Sequence, residues 1–95
     1  MLPLLRLRLV GLDIVELVMA IESTFGINIP NEVAPTLETL GDIERFVIQA
    51  LQERGSPVDH AEVWSRITAI MKQDFGIAAD RVRPDAHLVD DLGLD

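Results

Sequence analysis

The chain has 95 residues, 48% of them apolar and 4% aromatic, with no cysteine and a formal net charge of −8. That length is one small domain, and the apolar share supports an aliphatic core rather than a disordered segment. The missing cysteine excludes disulfides, zinc–thiolate sites and cysteine nucleophiles, and fits a cytoplasmic protein.

Arg6 and Arg8 lie in the first ten residues, so residues 11–95 hold six basic against sixteen acidic side chains. Such a surface repels nucleic acid and anionic membranes and attracts basic protein patches. On composition alone it reads as an ordinary solvated exterior. The two histidines, His60 and His87, stand far apart and make a poor metal site. No stretch is long enough to span a bilayer. Residues 1–10 are leucine-rich, but they lack the long apolar run and small-residue cleavage site of a signal peptide.

In chain order, residues 12–25 are predicted to form an amphipathic helix. Ile14, Leu17, Val18, Ile21 and Phe25 recur at three- and four-residue steps on one face. Asp13, Glu16, Ala20 and Ser23 fall on another, acidic near its start, where carboxylates favour the helix dipole. Gly26 is the expected stop. After the loop Ile27-Asn28-Ile29-Pro30, Asn31 is expected to cap a short helix over 32–34, which Pro35 keeps short. Thr39-Leu40-Gly41-Asp42 has the form of a capping box, with Asp for Glu, before a helix to about Glu53. Its stripe is Ile43, Phe46, Val47, Ala50 and Leu51.

Arg54-Gly55-Ser56-Pro57 breaks the pattern and reads as a linker over 54–58. Asp59-His60-Ala61-Glu62 starts a last helix, expected to bury Val63, Trp64, Ile67, Ile70 and Met71 and to end near Phe75-Gly76. Residues 77–95 read as a long Asp-rich loop anchored at Ile77, Val82, Leu88 and Leu92. Leu5-Arg6-Leu7-Arg8-Leu9 alternates but has no partner strand. The expected fold is all-α: a small bundle of three longer helices and one short helix. Trp64, Met19 and Met71 read as core, His60 as a surface residue near a helix start, and His87 as a loop residue.

The run Leu12-Asp13-Ile14-Val15-Glu16-Leu17-Val18-Met19-Ala20-Ile21-Glu22, then Phe25-Gly26-Ile27 and Ile29-Pro30, resembles the second helix of acyl carrier proteins and the loop after it. Thr39-Leu40-Gly41-Asp42 and its helix resemble the family's last helix. Residues 61–95 resemble its beginning, through Phe75-Gly76-Ile77 and Asp85-Ala86-His87-Leu88-Val89-Asp90-Asp91-Leu92-Gly93-Leu94-Asp95. The resemblance covers almost all of residues 11–95 with the halves in permuted order. It divides the chain into an atypical segment 1–10, a carrier-like second half 11–53, the linker 54–58 and a carrier-like first half 59–95.

The resemblance implies an acyl-carrier-like domain of fatty acid or polyketide biosynthesis, and not an enzyme. In the family a serine at the start of the second helix carries 4′-phosphopantetheine, in a motif of the form Asp-Ser-Leu-Asp. Here Gly11 stands in the serine's place, Leu12 and Asp13 match the residues after it, and Asp95 matches the aspartate before it. Ser23, Ser56 and Ser65 lack the motif's neighbours and read as surface residues. The chain as written is therefore expected to carry no phosphopantetheine. Asp13, Glu16 and Glu22 match the family's recognition helix, which meets basic patches on acyl transferases, ketosynthases and phosphopantetheinyl transferase.

Two explanations fit the swapped order. One is a circular permutant, with the linker joining the family's last helix to its first. The other is a span across the junction of two tandem carriers, for which the unlike residues 1–10 would be an out-of-frame read. Either a monomer or a domain-swapped dimer could complete the bundle. The alternative function is a non-carrier interaction module. No nucleophile–base set, metal cluster or glycine-rich phosphate loop argues for an enzyme.

Overall fold

Three helices carry most of the structure, a computed structural model that describes residues 12–95. Helix α1 spans Asp13–Phe25, α2 spans Leu40–Glu53 and α3 spans His60–Phe75. Gly11 and the alternating residues 5–9 lie outside the described residues.

Each helix ends where its chemistry dictates. Gly26 and Gly76 follow α1 and α3 at φ 65° and 67°, a left-handed conformation that only glycine adopts without strain. The Thr39 hydroxyl accepts the Asp42 N–H at 3.1 Å, while Asp42 Oδ2 accepts the Thr39 N–H at 3.1 Å. That reciprocal pair is the expected capping box. Asp59 Oδ1 caps α3 by accepting from the N–H groups of Ala61 and Glu62 at 3.0 and 3.2 Å.

The core is one aliphatic cluster. Leu17, Ile21 and Phe25 enter it from α1, Ile43, Val47 and Leu51 from α2, and Val63, Ile67, Ile70 and Met71 from α3. Trp64, expected to be buried, and Phe46, on the expected stripe of α2, are only partly buried against its rim. Helix α3 packs on both α1 and α2, so the two halves of one chain share a single core.

The connections differ from expectation in three places. The turn before α2 is a 3₁₀ turn over Ala34–Thr36 rather than a helix over 32–34, and its first cap is Val33, with no side-chain cap. Proline fixes φ and suits the start of such a turn, so Pro35 sets its position and Asn31 does not. The linker 54–58 is also a clamp. The Arg54 guanidinium donates to the carbonyl oxygens of Gly26 at 2.6 Å and Phe25 at 3.3 Å, and to Ser56 Oγ at 2.9 Å. It thereby satisfies carbonyls that the end of α1 leaves without helical partners.

The third difference is the stretch 77–95, which is pinned along its whole length. It contains a 3₁₀ turn over Ala79–Arg81 and buries Ala86 and Leu94 as well as the four expected anchors. Residues 84–88 run against the entry to α2: Leu88 N–H donates to Glu38 O at 2.8 Å, Leu40 N–H to Ala86 O at 3.1 Å and Gly41 N–H to Pro84 O at 2.8 Å. A single bridge pairs Thr39 with His87, and no strand forms among the described residues. Nor is any described helix long and apolar enough to cross a membrane.

Candidate functional site

The start of α1 and the last residues of the chain meet. Asp95 N–H donates to Asp13 Oδ2 at 3.3 Å across 82 residues of sequence. Ile14 N–H donates to Asp95 O at 3.4 Å. Leu12, Asp13 and Asp95, three of the expected site residues, therefore lie together, and Gly11 falls outside the described residues. Leu12 occupies the cap position of α1 without a side-chain cap. Leucine has no side-chain acceptor for the first-turn N–H groups, and the Ile14 N–H goes to Asp95 O instead.

Asp13 is not on a solvated face. It is 4% exposed, the one buried charged residue among those described. The helix period explains this, because 13, 17, 21 and 25 are spaced by four and share the buried stripe with Leu17, Ile21 and Phe25. A buried carboxylate must be hydrogen-bonded, and the Asp95 N–H supplies one bond. The outward docking place expected for Asp13 is corrected accordingly.

Glu16 is exposed. Glu22 is half-buried, and its Oε2 accepts the Ile29 N–H at 2.7 Å, tying down the loop after α1. Six residues of helix separate the two by about 9 Å along the axis and about 120° around it. They do not form one acidic face.

Helix α1 also presents an apolar stripe outward. Leu12, Val15 and Met19 are 39%, 50% and 62% exposed. Their spacing of three and four puts them on one stripe with Glu16, opposite the buried stripe. Met19, read as core, belongs to this surface instead. The signal was in the sequence, since α1 carries two apolar stripes and only one can face the bundle.

Behind α1, the side chains of Ile14, Val18, Ile29, Leu37, Ile43 and Leu88 line an apolar cleft whose cavity measures about 10 Å³. That is room for one water at most. Among the described residues no three His, Cys, Asp or Glu side chains gather as a metal-holding group. No protein-family model matches the chain, and no solved structure matches it.

Proposed function

We propose that this chain is an acyl-carrier-like scaffold whose phosphopantetheine attachment residue has been replaced. The observation that carries the reading is the contact between Asp95 and Asp13. The two separated pieces of an Asp-Ser-Leu-Asp-like motif abut at one helix start, with Gly11 next to Leu12 in the serine's position. The uncapped start of α1 is the kind of place where a phosphodiester is held by backbone N–H groups. Glycine has no hydroxyl to form that ester, so the scaffold is present and the nucleophile is not.

The test is intact mass after incubation with a phosphopantetheinyl transferase and coenzyme A. The wild-type chain should gain nothing, and Gly11→Ser should gain one phosphopantetheine arm. A stoichiometric gain by the wild type would overturn the replacement of the attachment residue. Failure of Gly11→Ser to react would count against the carrier reading itself.

A second reading, an interaction module without carrier chemistry, is favoured by one observation. The outward stripe of Leu12, Val15 and Met19 beside Glu16 offers apolar contact edged by negative charge. Its partners would be basic surfaces with an apolar centre, such as those of carrier-dependent enzymes.

A further inference from the structure

The turn that delivers Asp95 to α1 is capped by a histidine. His87 Nδ1 accepts the N–H groups of Val89 and Asp90, each at 3.2 Å. Asp91 Oδ2 returns the arrangement by accepting the His87 N–H at 2.8 Å. The carbonyl of His87 then accepts from Asp91 and Leu92 N–H, Val89 O accepts from Gly93 N–H, and Leu88 O accepts from Leu94 N–H. The arrangement is like a capping box, with the return bond from the fourth residue instead of the third and an imidazole in place of a serine or threonine hydroxyl. An imidazole nitrogen accepts a hydrogen bond only while it carries no proton, so the cap requires the neutral ring protonated at Nε2.

We propose that His87 makes residues 87–95 a pH-sensitive latch: neutral, it caps the turn; protonated, it releases the turn and the contact between Asp95 and the start of α1. A proton on Nδ1 would point an N–H at two other N–H groups. Asp90 Oδ2 lies 3.8 Å from the same nitrogen and offers the cation a different partner. One atom cannot accept from the Asp90 backbone and donate to the Asp90 carboxylate at once, so the two protonation states demand two arrangements.

Charged residues stand on the turn and on the elements packed against it. On the turn itself stand Asp90 and Asp91. The entry to α2 contributes Glu38, whose carbonyl accepts from Leu88, and Asp42, which is paired with Arg45. From the 3₁₀ turn, Arg81 donates to the Asp91 carbonyl, and from α1 Asp13 accepts from Asp95. The Asp90 carboxylate gives a protonated imidazole a partner that the cap geometry does not. The ring is 32% exposed and open to solvent protons. Histidine is the side chain that ordinarily changes charge between pH 5 and 8, and carboxylates ordinarily titrate lower.

Backbone amide spectra of the ¹⁵N-labelled protein from pH 7.5 to 5.5 test this. The Val89 and Asp90 amides should move with the His87 ring at one midpoint, and their exchange protection factors should fall about fivefold. Asp95 and Ile14 should follow at the same midpoint. His87→Asn and His87→Ser each keep an acceptor at the cap and do not titrate, so whichever of them gives native-like spectra should abolish the response. His60→Gln, which removes the other histidine, should leave it intact. Flat wild-type amides, a response that survives loss of the imidazole, or movement confined to Val89 and Asp90 would each overturn the latch. The readout is structural, so the result is separate from the carrier reading.

Discussion

The starts of α1 and α2 meet the same problem with opposite solutions. A helix begins with backbone N–H groups that have no partner inside it. At α2 these donors have partners nearby: Leu40 N–H bonds Ala86 O, Gly41 N–H bonds Pro84 O and Asp42 N–H bonds the Thr39 hydroxyl. At α1 the cap is Leu12, with no side-chain bond, and the tie to Asp95 is a long 3.4 Å. The first arrangement joins a side-chain cap to two short backbone bonds, whereas the second has no side-chain cap and a longer backbone tie.

The sharpest way to break this contrast is to shorten a leucine at each start. Leu40 is fully buried at the start of α2, whereas Leu12 is 39% exposed before α1. Leu40→Ala should destabilise the protein by about 3 kcal/mol, through lost burial and the cavity left behind. Leu12→Ala should stay within about 0.5 kcal/mol. Urea unfolding followed by circular dichroism measures both. Equal losses would mean that the start of α1 is as firmly built as that of α2.

A smaller effect probes how closely α2 is held. A Cβ at Gly41 would come within 2.8 Å of the Pro84 carbonyl oxygen, a backbone atom that cannot swing away. Gly41→Ala would ordinarily help a helix by up to about 1 kcal/mol. Here the residues 84–88 must retreat, and with them the bond from Gly41 N–H to Pro84 O. A net loss of about 2 kcal/mol is expected, read from the same unfolding curves. A neutral or stabilising result would show that residues 84–88 yield easily and that the entry to α2 is looser than its hydrogen bonds suggest.

Much of this architecture was legible in the sequence because it rests on local rules. The capping box at Thr39 and Asp42, the glycine stops at 26 and 76 and the three apolar stripes act over a few residues, so they survive any tertiary context. The readings that failed depend on what packs where. Asp13 carries a charge, which suggests solvent, but its register with Leu17 places it inside, where Asp95 meets the helix start. Met19 is apolar, which suggests core, but the core side of α1 was already taken by Leu17 and Ile21. The polar look of 77–95 hid two further anchors, Ala86 and Leu94, that matter only because the loop lies along α2 and returns to α1. The role of His87 as a cap depends on a turn that composition does not announce.

The smallest effect separates the two helix starts by pH. The Glu38 N–H on the Asp42 carboxylate, helped by the Thr39 N–H and hydroxyl and by Arg45, outweighs partial burial and holds the Asp42 pKa below the usual carboxylate range. A carboxyl depressed in the folded state stabilises that state above the unfolded value of about 3.9. The stabilisation is lost as pH falls through the lower folded value. Asp42→Ala should therefore destabilise by about 1 kcal/mol, by an amount constant from pH 5 to 7. The gap to wild type should narrow below about pH 4, as the wild-type carboxylate takes up its proton. Unfolding curves at pH 7, 5 and 3.5 measure it. A gap that widens with acid would reverse the sign and remove Asp42 as the charge that fastens α2.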